Sequence, residues 1–457
     1  MLQILNPATE ETLCEIAEDT TSSIDDKLRR AKAAQPAWAA RPLEERLAII
    51  KKFRERVSAS IDELARTTTS EVGKPLSQSR NELRGLLFRI DFFLEHAPSV
   101  LSEERVLWAP DQGLEERVAR EPLGVIVNVS AWNYPYFVGA NVFVPALLAG
   151  NAILYKPSEH ATLTGLAIAK MLHDSGVPED IFIPVIGGGA VGADLVARPV
   201  GGVFFTGSYA TGKKIAAVAA PNMAKLQLEL GGKDPAYVAE DVDVKAAAEA
   251  TADGAFYNAG QSCCAVERIY VHERIHAAFV AAFVDTVKAF VIGDPTDDKT
   301  YIGPLARKDQ LAVLEAQIAD AQEKGATVAA GGRKLDRKGW YFDPTVIVGA
   351  DHRMKVMTDE SFGPVIGIQS VPGDETALSL MNDTPYGLTA AIYTKDRERA
   401  ERVLRGVNAG SAYWNCCDRV SPRLPWSGRG HSGVGSTLSK DGIVAFTQPK
   451  AWHLRRP

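Results

Sequence analysis

The 457 residues are 46% hydrophobic and 24% charged, the balance of a soluble globular protein and not of a disordered or fibrous one. The formal charge of −6 argues against nucleic acid as a partner, because phosphate binding needs a basic footprint. A chain longer than about 250–300 residues outgrows a single core, so two large domains with a cleft between them are expected.

The N-terminal segment places Glu10 and Glu11 early and lacks a basic stretch followed by an apolar one, so no secretory signal peptide is expected. No apolar run reaches the roughly 18 residues of a membrane span. The five cysteines, Cys14, Cys263, Cys264, Cys416 and Cys417, are odd in number and include two adjacent pairs, which fits a reducing cytoplasm better than a disulfide framework. No CxxC spacing occurs and no structural metal site is expected.

From residue 23 to about 69 apolar residues recur at three- and four-residue steps, through Ile24, Leu28 and Ala31 and then Leu43, Leu47, Ile50, Phe53 and Val57, and Pro42 suits the start of a second helix. Residues 101–120 have the character of a polar hairpin. Strand-length apolar runs follow at 124–130, 151–156, 181–186, 202–207 and 225–230, and helical spacing lies between them at 136–149, 162–175, 190–197 and 210–219. Strands that alternate with helices and lack polar alternation indicate a parallel sheet covered on both faces, the dinucleotide-binding kind of α/β architecture. A second series, through 269–271, 276–290, 310–324, 344–347, 365–370 and 387–393, makes a second domain. Residues 443–454 are a further strand candidate and, with the hairpin, an edge element that pairs elsewhere.

Open α/β sheets bind ligands at the C-terminal ends of their strands, and four strands here end in residues with chemistry. Asn133, in Trp132-Asn133-Tyr134-Pro135, offers an uncharged donor to an oxyanion, or serves as a turn residue. Lys156, Ser158 and Glu159 offer a cation and a carboxylate to a phosphate or ribose, or are solvated loop charges. Gly207-Ser208 with the later Gly212 makes a strand, glycine turn and helix whose amides suit a pyrophosphate. Glu229, before Gly231-Gly232, has the place of a general base, or serves as a helix N-cap partner or in a surface salt bridge. The turn Gly260-Gln261-Ser262 can present Cys263 at a cleft with amides near its thiolate, although a buried, inert cysteine is the commoner fate of such a residue.

The set WNYP, KPSE, FTGS, LELGGKDP, GQSCCA, ESFGP and NDTPYGL, in this order, resembles the NAD(P)-dependent aldehyde dehydrogenase superfamily of the hydrolytic type over essentially the whole chain. The resemblance implies Cys263 as nucleophile, Glu229 as the base that activates water, and Asn133 with the Cys263 amide as oxyanion hole. It implies Lys156 and Glu159 on the adenosine ribose, Ser208 on the pyrophosphate, and Glu360 and Phe362 on the nicotinamide half. Trp132, Ser158, Gly207, Gly212 and Leu230 complete the cofactor set. By motif offset the substrate pocket is Tyr134, Val138, Asn141, Tyr257, Ser262, Cys264, Val420 and Trp426. Glu159 favours NAD over NADP by repelling a 2′-phosphate.

The implied division is a nucleotide-binding domain (1–103 and 122–229), a catalytic domain (230–442) and an oligomerisation element (104–121 and 443–457) that makes a homodimer or homotetramer. The reaction implied is oxidation of a small-molecule aldehyde to its acid through a thiohemiacetal and a thioester. Alternatives are a CoA-acylating dehydrogenase, a redox-silent cysteine thioesterase or esterase, and a non-catalytic relative. The chain departs from the family where Pro425-Trp426-Ser427-Gly428-Arg429-Gly430-His431 replaces the usual Pro-Phe-Gly-Gly-x-Lys, and where Thr437 stands in place of a second glutamate. Asn141 occupies a position that is often Arg in succinic semialdehyde enzymes. Arg419 and Arg423 are the remaining candidates for a substrate carboxylate, against solvent-facing loop charges.

Overall fold

A computed structural model describes residues 1–456; Pro457, the last residue of the expected oligomerisation element, lies outside them. The N-terminal third is built on helices Thr21–Ala39, Leu43–Ala59, Ile61–Val72 and Leu76–Leu101. The expected helical stretch over 23–69 is present, whereas the fourth and longest helix is new. Its apolar side is orderly, with Leu76, Leu83, Leu86, Ile90, Phe93 and Ala97 buried, but Gln78, Glu82 and Arg89 are buried on it too. Polar residues at inward positions break the apolar stripe by which a helix is read.

Five parallel strands stand in the order Lys225–Glu229, Gly202–Thr206, Val125–Val129, Ala152–Lys156 and Phe182–Pro184. The first in sequence is central and the order reverses on either side of it, which makes a switch point. The two-residue strand Gly433–Val434 adds antiparallel to Lys225–Glu229, so the chain returns to this sheet after completing another.

That other sheet has seven strands in the order Thr327–Ala330, Thr345–Val348, Val365–Val371, Arg268–His272, Pro235–Val238, Thr389–Tyr393 and Ser411–Trp414, and only the first pairs antiparallel. Each large sheet has its own hydrophobic core. The hairpin Glu104–Ala109 and Leu114–Pro122 pairs with Thr447–Arg455 in a separate three-stranded sheet. The expectation of one strand over 443–454 is corrected at its start: Ser439–Val444 is helical. The apolar run there imitates a strand, but Ile443 and Phe446 are core residues of the first sheet, and Asp441 in the first turn of the helix favours that start.

Candidate active site

Four neighbouring parallel strands bring their C-terminal ends to one edge of the first sheet. The loop after Val125–Val129 carries Trp132 and Asn133 into the helix Pro135–Leu148. The first free amides of this helix, Tyr136 N and Phe137 N, donate to Glu82 Oε1 at 2.8 and 3.2 Å, which satisfies the helix start and complements its dipole. Lys74 Nζ pairs with Glu82 Oε2 at 2.5 Å, both side chains fully buried. At the end of Ala152–Lys156, Lys156 Nζ lies 3.9 Å from Glu159, and Ser158 Oγ donates to Glu159 Oε2 at 3.3 Å. Beyond Gly202–Thr206 and Gly207, Ser208 caps the helix Tyr209–Ala219 by accepting from Thr211 N at 3.3 Å. A Cβ at Gly212 would stand 2.6 Å from Leu230 Cδ2, so glycine lets this helix lie against the end of the next strand. That end delivers Glu229, whose Oε1 accepts from Gln227 Nε2 at 3.2 Å and from the Thr437 hydroxyl. Burial pushes the Glu229 carboxyl up to about 7, against the opposing pull of Thr437, Arg89 and Gln227.

The cysteine turn is strained. Asn258, Ala259 and Gly260 are consecutive left-handed residues, with φ of 54, 55 and 71°, a conformation that costs energy for the first two. The surroundings hold it: Asn258 N donates to Gln78 Oε1 at 3.0 Å, and Asn258 Nδ2 donates to the carbonyls of Asn133 and Gln261 at 3.3 and 3.2 Å. Gly260 is required twice over, since a Cβ there would also lie 2.3 Å from Gly363 O. Asn133 Nδ2 donates to Gln261 O at 3.1 Å, which leaves its second N–H. Cys263 is half-buried and Cys264 buried. The Cys264 thiol donates to Asp418 Oδ1 at 2.9 Å, and Ser262 Oγ donates to the same oxygen at 3.2 Å. A hydrogen bond to Cys263 and burial push the Cys264 thiol well above the ordinary range, and burial raises Asp418 to about 6.

Cys263 and Glu229 wall one cavity of about 890 Å³. Each pocket position expected from the sequence lines it, namely Tyr134, Val138, Asn141, Tyr257, Ser262, Cys264, Val420 and Trp426. Arg419 and Arg423 are exposed residues of the same wall.

Residues 1–452 match the sequence profile of the Aldehyde dehydrogenase family. The chain belongs to the aldehyde dehydrogenase family. It is 35% identical to the succinate-semialdehyde dehydrogenase [NADP(+)] of Deinococcus radiodurans, over 98% of this chain and 93% of that one. It is 34% identical to the lactaldehyde dehydrogenase of Escherichia coli, over 99% and 95%. A solved NADP-dependent enzyme of E. coli superposes with a TM-score of 0.96 at 31% identity, over 100% and 95% of the two chains. The protein is therefore an oxidoreductase that converts an aldehyde to its acid with NAD(P).

The dehydrogenase carries a residue set that fits such a dinucleotide: the Lys156 and Glu159 pair, the capped helix start at Ser208, and the loop of Glu360 and Phe362. Gly232 N donates to Glu360 Oε1 at 3.1 Å, and a Cβ on Gly231 would fall 2.1 Å from that oxygen, so glycine lets the carboxylate lie on this backbone. Burial pushes Glu360 up to about 8. Phe362, at φ 45°, turns its ring edgewise to Trp132 at 5.5 Å between centroids. Glu267 holds this loop, accepting from Ser361 N and Phe362 N at 2.9 and 3.0 Å while pairing with buried Lys233 at 2.6 Å.

Sequence reasoning missed Arg89, Glu82, Lys74, Asp418 and Glu267. Gln78, Glu82, Gly85 and Arg89 all line the cavity, at steps of four, three and four. A polar stripe at helical spacing was the signal that could have found them. His272 and His276 stand four apart, and no group of three or more His, Cys, Asp or Glu side chains is placed to hold a metal ion among the described residues.

Proposed function

We propose that Cys263 is the nucleophile, Glu229 the base of the hydrolytic half-reaction, and Asn133 Nδ2 with the Cys263 amide the oxyanion hole. The observation that carries this reading is that Cys263 and Glu229 face one cavity while Asn133 is bonded to the turn that presents the thiol. The Cys263 thiolate attacks the aldehyde carbon, and the oxygen of the resulting thiohemiacetal takes hydrogen bonds from the oxyanion hole. NAD(P), when bound, supplies the hydride acceptor. Cys263 is left as a thioester, Glu229 takes a proton from water, the water oxygen adds to the acyl carbon, and the thiolate leaves as the acid is released. Lys156, Ser158 and Glu159 hold the adenosine ribose, Gly207, Ser208 and Gly212 the pyrophosphate, and Trp132, Leu230, Glu360 and Phe362 the nicotinamide half. NAD is preferred, because Glu159 is a carboxylate where a 2′-phosphate would lie.

The first sheet with its flanking helices is the nucleotide domain (1–103 and 122–229), and the second is the catalytic domain (230–442). The three-stranded sheet joins copies into a dimer or tetramer; Val106 and Trp108, half-exposed on it, support this. No helix among the described residues is long and apolar enough to cross a membrane, and five free cysteines suit the cytoplasm. NAD(P)H formation with a panel of aldehydes, with and without CoA, is the test. Turnover without CoA is expected; turnover only with CoA would replace hydrolysis by acyl transfer, and silence throughout would remove the assignment of Cys263.

A further inference from the structure

Arg89 is a buried cation in the wall that also holds Cys263, Cys264 and Glu229. Only 5% of the residue is exposed, and it makes no ion pair among the described residues. Its single hydrogen bond runs from Nη1 to Asn141 Oδ1 at 2.7 Å, and its guanidinium carbon lies 3.7 Å from the centroid of Phe137. Gly85, one turn earlier, makes room for that ring: a Cβ there would be 2.6 Å from Phe137 Cζ. A guanidinium has five N–H donors, so most of this fork has no protein acceptor. The acidic groups that bear on it are Glu229, Glu82, Cys264 and Cys263, and the first three are engaged elsewhere. Glu82 is held by Lys74 and two amides, Glu229 by Thr437 and Gln227, and the Cys264 thiol is given to Asp418. Asp418 also faces the cavity, with Oδ1 taken by Cys264 and Ser262.

Glu229 and Glu82 act on Arg89 through space, yet neither is bonded to it, and a buried guanidinium with open N–H donors is costly. Burial lowers Arg89 only to about 10, so it remains charged at neutral pH. We propose that Arg89 is a specificity residue whose guanidinium receives a carboxylate of the aldehyde substrate, so that the enzyme prefers short oxo acids to neutral aldehydes. The proposal rests on the reading of Cys263 as nucleophile, since the aldehyde must reach the thiol while the far end of the same molecule meets the fork. Asn141 orients the fork and Phe137 covers one face of it, leaving N–H edges for a paired carboxylate contact. Arg419 and Arg423 are exposed in the same wall, but it also carries Asp91, Glu95, Asp253 and Asp418, so selection of an anion falls to the Arg89 fork itself and not to the field of the wall.

The test compares succinic semialdehyde with butanal in the wild-type enzyme and in Arg89→Met and Arg89→Lys, with NADH binding as the check of folding. The wild type is expected to favour the oxo acid in kcat/KM by about 100-fold. The ratio should collapse to below about tenfold in Arg89→Met and lie between in Arg89→Lys. Succinate should inhibit the wild type competitively against the aldehyde, a readout that stands even if a variant fails to fold. Equal use of the two aldehydes, absence of succinate inhibition, or a fall in Arg89→Met that is the same for both substrates would overturn the role of Arg89 while leaving Cys263 in place. Oxidation of neither of these two, with other aldehydes of the panel turned over, would overturn the role of Arg89 alone, whereas silence across the whole panel would remove the reading of Cys263.

Discussion

The Cys264 thiol donates to Asp418 Oδ1 at 2.9 Å, and this bond separates two adjacent cysteines that are chemically identical in the sequence. A thiol that is hydrogen-bonded to Cys263, buried, and held against the Asp418 carboxylate keeps its proton, and a protonated thiol is a poor nucleophile. Cys263→Ser should lower NADH formation by at least about 10⁴-fold with NAD binding retained, because the weakly acidic hydroxyl replaces the thiolate. Cys264→Ser should keep activity within about tenfold. Steady-state assays with cofactor titration decide it, and the opposite pattern would move the nucleophile to Cys264.

Glu229 has its carboxyl raised to about 7, and only the ionised form accepts a proton from water. Deacylation should therefore be full above pH 7 and fall about tenfold per unit below it. Glu229→Gln should release one equivalent of NADH per site in a burst and then stall, which stopped-flow measurement reads directly. Normal steady turnover in that variant would remove the base.

Thr437 donates to the Glu229 carboxylate and so favours its charged form. Thr437→Val deletes that donor, and the acidic limb of the pH–rate profile should move upward by about 0.5–1 unit, the equivalent of about 1 kcal/mol. A downward or null shift would show that the hydroxyl does not tune the base.

Glu267 holds two amides of the Glu360–Phe362 loop and neutralises Lys233, whose side chain is fully buried. Glu267→Gln leaves that ammonium without a counter-charge, which should cost about 3 kcal/mol or more of stability and raise the KM for NAD more than that for the aldehyde. Thermal denaturation with cofactor kinetics separates this from a purely local defect, in which Tm would not move.

Glu159 stands near Lys156 at 3.9 Å, and its charge opposes a 2′-phosphate. Glu159→Gln should shift the kcat/KM ratio toward NADP by about tenfold. An unchanged ratio would mean that the carboxylate turns away from the ribose.

The alternation of apolar runs and helical spacing after residue 122 was legible as a parallel sheet, because strand periodicity and burial on both faces are written in consecutive residues. Asn133, Lys156, Ser208 and Glu229 were legible for the same reason: each follows its strand within a few residues, and a parallel sheet must bring such ends to one edge. Contacts made by distant segments were not. The Leu76–Leu101 helix was hidden by the inward polar residues that matter most to the site, Glu82 and Arg89, since a buried ionisable group defeats an apolar pattern.

By itself the sequence determined the order of the strands along the chain, the glycines at the turns and the candidate chemistry at each strand end, all of them local properties of the polymer. The tertiary structure alone decided that Thr437 meets Glu229 across 208 residues, that Arg89 meets Asn141 across 52, and that Asp418 restrains Cys264 across 154. Charge and hydrogen-bond partners in a buried site depend on which segments the two cores press together, and no spacing along the chain records that proximity.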